Sequence, residues 1–290
     1  MKPTVVLQSD FGSGGGGAMT GVIKSLDAEV PVYDYEHFVE PFNVDAASAS
    51  LSRIIDVWPA GTIFVSVVDP GVGTSRRSCV ARLDNGCYIV TPDNGTLTMF
   101  AGHVTEVRSI DESINRLPGS ELCHIYNGRD VYAYTAGRLA AGIITYEQVG
   151  PAYPVEEIVV EQLTSVETEL KPGYARAGFY DVEISYGCLR VNIYHRDFRE
   201  ICGFEYGDKL DLTISDGSRE LFHDIVYYDK TFGLVPQGAP FICGDSQLGE
   251  RQKIRFSLNQ ENFIEKYAPD LEKGFRAGKN YSFTARKIEK

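Results

Sequence analysis

The segment VVDPGVGTSRR, residues 67–77, is the most informative stretch of this sequence. Its apolar start predicts a buried strand that delivers Asp69 to its carboxyl end, and Pro70 with the two glycines predicts a tight loop. We expect this loop to return Arg76 to within reach of the Asp69 carboxylate. On spacing alone, the two residues fit a structural ion pair as well as a catalytic one.

Residues around this segment alternate between strand-like and helix-like patterns. Apolar residues at helical spacing from Val44 to Trp58 predict one helix, and YAYTAGRLAAG, residues 132–142, predicts another. SDFGSGGGGAMTG, residues 9–21, leads toward a possible helix, and we interpret its glycines as a flexible turn. Short β-branched or aromatic runs predict strands: TVVLQSD (4–10), VPVYDYEH (30–37), GTIFVSVVD (61–69) and CYIVTPD (87–93). This order predicts an α/β domain with a mainly parallel sheet and ligands at the carboxyl ends of its strands.

The character of the sequence changes near residue 170. Alternating strand patterns joined by YG, DG or GD turns follow: RAGFYDVEISYGCLRVNIY (176–194), YGDKLDLTISDG (206–217) and QKIRFSLN (252–259). They predict a smaller, antiparallel, β-barrel-like second domain. The segment 150–173 carries three prolines and several glutamates and is the natural connector. We therefore expect domains at 1–160 and 171–290, with 161–170 as the linker.

Composition narrows the classes of partner. The chain has 290 residues and a formal net charge of −12, which argues against nucleic acid or a membrane as a partner, because phosphate groups attract basic surfaces. A small ligand, especially a positively charged one, fits better. The sequence has neither a signal-peptide pattern nor a transmembrane stretch, so we expect a cytoplasmic protein. Cysteines without CxxC spacing predict buried thiols and no metal site: Cys79, Cys87, Cys123, Cys188, Cys202 and Cys243.

Several motifs occur in a fixed order along the chain. They are SDFG (9–12), a His-x-x-x-Pro-aromatic run (37–42), VVDPGVGTSRR (67–77), PDNG (92–95) and GRD (128–130). In this set and order the chain resembles the S-adenosylmethionine hydroxide adenosyltransferase family, which is similar to the bacterial fluorinase and chlorinase. The resemblance implies hydrolysis of S-adenosylmethionine to adenosine and methionine, without cofactor or metal. It also implies a homotrimer with sites between subunits.

The resemblance also implies roles for individual residues. Asp69, Arg76 and Asn127 occupy the positions of the set that is thought to hold the attacking water. The positions that would bind the substrate lie in both domains: Asp10 for the ribose hydroxyls, Phe42 for stacking on the nucleoside, Glu183 for the methionine ammonium, Tyr186, Cys188 and Phe232 for adenine, and Ser246 for the methionine carboxylate. By contrast, we interpret His37 as structural.

Three positions depart from the family pattern. Asn127 stands where the family has His, and it can orient water but cannot take a proton, so we expect slow hydrolysis. Cys188 stands where the family has Asn and cannot offer the donor and acceptor of an amide. A second ribose-side acid after SDFG is missing, and the glycine run of residues 14–17 lies there instead.

Alternatives to a hydrolase remain open at this point. The departures are compatible with a degenerate member that binds an adenosyl ligand and turns over little of it. Cys188 and the short first loop also allow a different adenosyl-like ligand. A halogenase is less favoured, because an anionic Asp69 about 4 Å from a halide would cost about 1–4 kcal/mol.

Overall fold

The computed structural model describes residues 2–288. The chain divides after Glu161 into two compact units, and the second begins at Gln162. The segment proposed as a linker, 161–170, spans this division. Within the described residues, no helix combines the length and the apolar character needed to cross a bilayer.

The first unit is built on a seven-stranded sheet. Its strands are β1 (Val5–Ser9), β2 (Val32–Glu36), β3 (Ile63–Val67), β4 (Ser78–Leu83), β5 (Tyr88–Pro92), β6 (Val104–Ser109) and β7 (Ala152–Tyr153), in the order β2-β1-β3-β5-β4-β6-β7. The four neighbouring strands β2, β1, β3 and β5 run parallel. Strands β4, β6 and β7 add to β5 as an antiparallel edge. The predicted mainly parallel α/β architecture is confirmed, and the four strands predicted from the sequence are the four parallel ones.

Helices flank this sheet. They are α1 (Gly15–Leu26), α2 (Val44–Ser52) and α3 (Tyr134–Ala140). Both helices predicted from apolar spacing exist, although α2 ends at Ser52 and a short 3-10 turn at Ile55–Val57 follows it. The predicted glycine turn between strand and helix is shorter than expected, because Gly12–Gly14 forms a 3-10 turn and the next three glycines already form the first turn of α1.

The central strands fix where the functional edge of the sheet lies. Strands β1 and β3 are buried along their whole length, as expected for parallel strands covered on both faces. Their register pairs Ser9 with Val67. Asp10 and Asp69 therefore leave the sheet at the same carboxyl edge, where parallel sheets commonly bind ligands.

The second unit is a closed barrel of seven strands. Up to residue 288 the unit has eight strands, of which the first lies outside the closed ring: β8 (Glu169–Lys171), β9 (Tyr174–Glu183), β10 (Cys188–Tyr194), β11 (Lys209–Ser215), β12 (Glu220–Tyr228), β13 (Pro240–Gly244), β14 (Lys253–Leu258) and β15 (Ser282–Lys287). The order β10-β14-β13-β12-β11-β15-β9 closes through pairing of β9 with β10, and β8 adds to β9. All pairs are antiparallel except β12 with β13. The predicted barrel-like domain is confirmed.

Alternation of side chains builds the core of this barrel. In β11, Leu210, Leu212 and Ile214 are buried while the residues between them are not, which is the period of two expected for a sheet with one inner face. Three short helices complete the unit: α4 (His195–Glu200), α5 (Phe263–Tyr267) and α6 (Leu271–Arg276). Edge-to-face contact between Phe256 and Phe263, with ring centroids 4.9 Å apart, fixes α5 on the barrel.

Candidate functional site

Asp69 and Arg76 form a two-point ion pair at the carboxyl end of β3. Arg76 Nε donates to Asp69 Oδ1 at 2.6 Å, and Nη2 donates to Oδ2. The Asp69 side chain is 6% exposed and that of Arg76 11%. Such a fork holds both planar groups in one orientation. Burial raises the pKa of the Asp69 carboxyl above its ordinary value, and Arg76 acts in the opposite direction.

The loop between the two residues is held by its own hydrogen bonds. Thr74 Oγ1 donates to the carbonyl of Gly71 at 2.7 Å, and Gly73 has a φ of 80°, a conformation that favours glycine. Asn94 of the PDNG motif supports the preceding strand end, because its Nδ2 donates to the Val68 carbonyl at 2.9 Å. The backbone on both sides of Asp69 is thereby fixed.

Asp10 and Phe42, both assigned to the nucleoside by resemblance, are neighbours in the structure. Asp10 Oδ2 accepts a hydrogen bond from the Phe42 backbone N–H at 3.1 Å. Phe42 has a φ of 67°, which is rare for an aromatic residue and is commonly retained where function requires it. The residue is 73% exposed, so its ring is available to a planar ligand.

Three polar side chains next to Asp10 form a hydrogen-bonded relay. Ser9 Oγ and His37 Nδ1 share a hydrogen bond of 2.7 Å, and His37 Nε2 lies 3.1 Å from Asp34 Oδ1. Ser9 is fully buried, so this triad-like set does not present a nucleophile. It ties the SDFG loop to the loop that carries Phe42, consistent with the structural interpretation of His37.

The glycine run makes room for this relay. A Cβ atom on Gly16 would lie 2.5 Å from Asp34 Oδ1 and 2.6 Å from His37 Nε2. A helical glycine costs about 1 kcal/mol relative to alanine, so a steric requirement of this kind explains its presence. Close packing of this kind applies to Gly15 and Gly16, whereas a Cβ atom on Gly14 or Gly17 would meet nothing within 4 Å.

The GRD motif meets the other two motifs through Gly128. A Cβ atom there would lie 2.6 Å from Cε2 of Phe11 and 3.5 Å from Cγ1 of Val67. The segment Gly128–Ala133 is a π-helix, a rare form that is frequent at functional sites. SDFG, VVDPG and GRD thus converge on one edge of the sheet.

Asn127 is joined to the ion pair by a chain of hydrogen bonds. Its side-chain carbonyl accepts from Arg116 Nη2 at 3.1 Å, and the same nitrogen donates to Glu112 Oε2 at 2.5 Å. Ser78 closes the chain, since its Oγ donates to Glu112 Oε1 at 3.0 Å and accepts from Arg76 Nη1 at 3.2 Å. The structure therefore brings Asp69, Arg76 and Asn127 together.

The sequence did not identify the residues that link Asn127 to Arg76 through hydrogen bonds. Ser78, Glu112 and Arg116 belong to none of the motifs, and a Glu–Arg pair at i,i+4 is an ordinary surface feature of helices. Here the Arg116 side chain is only 7% exposed. Nothing in the sequence around Glu112 and Arg116 distinguishes them from surface charges.

The second unit gathers its predicted residues around the β9–β10 hairpin. Glu183 and Cys188 are paired across the two strands. Tyr186 lies in the turn between them with its ring exposed. Asn262 Nδ2 donates to the carbonyl of Ile184 at 2.8 Å and thereby holds the turn.

A buried arginine connects Glu183 with the segment that carries Ser246. Arg190 Nη2 donates to Glu183 Oε2 at 2.7 Å, and its Nε donates to Asp245 Oδ2 at 3.0 Å. Asp245 directly precedes Ser246, which is exposed. Sequence reasoning did not identify Arg190 or Asp245, because each looks like an ordinary strand-end charge.

Phe232 lies beside a second arginine. The guanidinium carbon of Arg255 is 5.8 Å from the centroid of the Phe232 ring, and Arg255 Nε donates to Cys243 Sγ at 3.3 Å. Burial raises the pKa of the Cys188 thiol, and Arg255 opposes this effect. Cys188 is therefore a neutral thiol near pH 7.

The cysteines follow the predicted pattern with one exception. Five of the six are buried, but Cys123 is exposed because it lies in the irregular segment before Asn127. All six are free thiols. No group of three or more His, Cys, Asp or Glu side chains in residues 2–288 is arranged to hold a metal ion.

Comparison with known proteins assigns the family. Residues 5–150 match the family model described as the SAM hydroxide adenosyltransferase N-terminal domain. An (R)-S-adenosyl-L-methionine hydrolase of Methanocaldococcus jannaschii is 33% identical over 67% of this chain and 74% of that protein. A hydrolase of the same name from Salinispora tropica is 34% identical over 54% of this chain, and the match spans only 60% of that protein. Fluorinases also match, at 25% identity or less.

A solved structure extends the similarity to both units. The crystal structure of an uncharacterized conserved protein from Thermotoga maritima superposes with a TM-score of 0.78 at 25% identity, covering 98% of this chain and all of that one. The matched segment 5–150 contains SDFG, VVDPGVGTSRR, PDNG and GRD. This chain belongs to the S-adenosylmethionine hydroxide adenosyltransferase family.

Proposed function

We propose that this protein hydrolyses S-adenosylmethionine to adenosine and L-methionine. The buried, two-point Asp69–Arg76 pair at the carboxyl edge of the parallel sheet carries this proposal. Its carboxylate leaves the same edge as Asp10. Two relatives named as (R)-S-adenosyl-L-methionine hydrolases support the choice of substrate.

The chemistry requires a positioned water rather than a strong base. A water oxygen attacks the C5 carbon of the ribose in line with sulfur, the carbon–sulfur bond breaks, and its electron pair neutralises the sulfonium. Most of the acceleration then comes from orientation and partial desolvation of the nucleophile. Asp69 accepts the water proton, directly or after the bond has formed, and its charge favours the cationic substrate. Arg76 stays protonated and fixes the carboxylate.

Residues of both units would bind the substrate. Asp10 has a second carboxylate oxygen beyond its bond to Phe42 and would accept hydrogen bonds from the ribose diol. We assign the methionine ammonium to Glu183 and its carboxylate to Ser246. The adenine ring would contact Phe42, Tyr186, Cys188 and Phe232.

Asn127 makes this a slow hydrolase in our proposal. Its carbonyl is already occupied by Arg116, and an amide nitrogen cannot accept a proton. The competing candidate is a family member that binds the adenosyl ligand without turnover. The buried Asp69 carboxylate and the hydrogen bonds that fix it favour the hydrolase over this binding protein. The halogenase is disfavoured, because a halide would lie beside the negative charge of Asp69.

We also propose a homotrimer. The family resemblance carries this proposal, and a subunit interface would cover large apolar side chains that are exposed in the first unit, such as Phe38 and Leu122. Mass photometry of the purified protein measures this directly. A particle of three subunits is expected, and a stable monomer would refute the trimer.

The test of activity is to incubate the purified protein with S-adenosylmethionine in halide-free buffer and quantify adenosine and methionine by chromatography. We expect equal amounts of the two products, at least 100-fold less in Asp69→Asn, with the affinity for substrate nearly unchanged. Tight binding without product would establish the binding protein instead. A second incubation with added fluoride or chloride checks the halogenase, which predicts halogenated adenosine formed faster than adenosine.

A further inference from the structure

We infer that Arg116 is a positioning residue that fixes the Asn127 amide with its N–H groups available to the reacting water. This inference rests on the proposed hydrolysis and adds a residue outside the motifs to it. Arg116 Nη2 lies 3.1 Å from the side-chain oxygen of Asn127. Because a guanidinium has donors and no acceptor, the atom it contacts must be the carbonyl. The orientation of the amide therefore follows from chemistry.

The backbone position of Asn127 supports the same conclusion. Asn127 directly precedes the helical segment Gly128–Ala133, where an asparagine normally accepts from a backbone N–H of the first turn. That hydrogen bond is absent at this helix start. The carbonyl is committed to Arg116 instead, and the Asn127 amide nitrogen makes no hydrogen bond within the described part of the chain.

Arg116 is held in place at an energetic cost. Its side chain is 7% exposed, and Nε and Nη1 are buried without a hydrogen-bond partner among residues 2–288. Unpaired buried donors destabilise a fold. Glu112 offsets part of this cost by accepting from Nη2. An arginine kept in such surroundings is better explained by its effect on Asn127 than by a contribution to stability.

The chain of contacts gives Arg116 a defined role in the reaction. Glu112 is hydrogen-bonded to both Arg116 and Ser78, and Ser78 is hydrogen-bonded to Arg76. These contacts hold Asn127 in a fixed position relative to the Asp69–Arg76 pair. The amide of Asn127 can then donate to the oxygen of the attacking water but cannot accept its proton. The proton is left to Asp69, and Asn127 acts by orientation alone.

The kinetic test compares Arg116→Met with Arg116→Lys and with Arg108→Met as a matched control. Arg108 is also a largely buried arginine of the first unit, and its hydrogen bonds go to Glu106, Glu147 and Gly150 rather than to Asn127 or its partners. We expect Arg116→Met to lower kcat about tenfold with KM changed less than twofold, because the amide can then rotate. Arg116→Lys should recover part of the loss, and Arg108→Met should leave kcat unchanged. Equal losses in Arg116→Met and Arg108→Met would overturn the inference.

A second measurement does not depend on turnover. Asn127→His is prepared with and without Arg116→Met, and the pKa of the introduced imidazole is measured by NMR as the one signal added to those of the five native histidines. A neighbouring guanidinium disfavours the charged imidazole, so its pKa should be lower by about one unit when Arg116 is present. Identical values would refute the contact. If the wild-type protein hydrolyses nothing, the proposed function fails and this comparison alone decides the placement of Arg116.

Discussion

The ring of Phe11 lies directly against the backbone of Gly128, where an added Cβ atom would be 2.6 Å from Phe11 Cε2. Phe11 follows Asp10 in the chain, and Gly128 follows Asn127. Asp10, assigned to the ribose, and Asn127, assigned to the attacking water, are therefore each the neighbour in sequence of a residue that makes this contact. In the proposed reaction, geometry at this contact would set the spacing between substrate and nucleophile.

Gly128→Ala tests this relationship. The new methyl group must push the Phe11 ring aside, because Cβ contacts below 3.0 Å do not occur in proteins. We expect kcat/KM for S-adenosylmethionine to fall at least tenfold, since displacements of about 1 Å at reacting groups cost up to 100-fold. Gly21→Ala is the control, because a Cβ there contacts nothing within 4 Å. Equal activity in the two variants would contradict the account.

Gly16→Ala tests the relay of Ser9, His37 and Asp34. The added Cβ would collide with both His37 and Asp34, so we expect the loops that carry Asp10 and Phe42 to shift apart. Binding of adenosine, measured by calorimetry, should weaken about tenfold or more. The neighbouring Gly17→Ala has open space within 4 Å and should bind adenosine normally, with stability raised by about 0.5–1 kcal/mol. Loss of binding in both variants would point to the helix rather than the relay.

The pH dependence of the reaction follows from the buried acid. In the proposed mechanism the active form of Asp69 is the carboxylate, and burial raises the pKa of this group above the ordinary value. Activity is therefore complete above this pKa and falls as the pH drops through it, earlier than an exposed aspartate, with a pKa of about 3.9, would allow. The measurement is kcat/KM against pH over the range where circular dichroism is unchanged. An acid limb that persists unaltered in the residual activity of Asp69→Asn would assign it to another group.

Lys253 predicts a pH dependence of stability in the barrel. Burial lowers the pKa of Lys253 to about 8, although its Nζ donates to Asn192 Oδ1 at 2.8 Å. In the unfolded chain a lysine has a pKa of about 10.4. Between these two values the unfolded state binds more protons, so the free energy of unfolding rises with pH. Below pH 8 the penalty of the buried charge is fully present, on the order of 3 kcal/mol.

Urea unfolding of the wild-type protein and of Lys253→Met at several pH values between 7 and 10.5 measures this effect. The wild-type free energy of unfolding should increase across this range relative to that of the variant, which lacks the titrating group. Parallel curves for the two proteins would show that the ammonium is solvated in the native state. The variant keeps a side chain of similar length, so packing against Tyr194 is largely retained.

The parallel half of the first sheet was predictable from sequence, and the antiparallel edge was not. Strands β1 and β3 are mainly apolar, and an aspartate, Asp10 or Asp69, follows each strand within two residues, which is a strong local signal. Strand β4 is paired with β6 through Arg82 and Glu106, and such mixed strands depend on cross-strand partners that a linear pattern does not show.

The candidate site also has one part that the sequence predicts and one part that it does not. Asp69 and Arg76 are seven residues apart on one loop, so their contact follows from local sequence. Glu112 and Arg116 are distant from that loop, and nothing near them indicates that the pair turns inward. The role of Gly16 was missed for a related reason, since the side chains that leave no room for a Cβ there, Asp34 and His37, come from another strand and loop.

In the proposed reaction a water oxygen attacks the C5 carbon of the ribose. Hydrolysis of S-adenosylmethionine in water enriched in oxygen-18, followed by mass spectrometry of both products, measures this most directly. If water attacks this carbon, we expect one heavy oxygen in the 5′-hydroxyl of adenosine and none in methionine. Adenosine without the label, or loss of the methionine group as a different product, would contradict it.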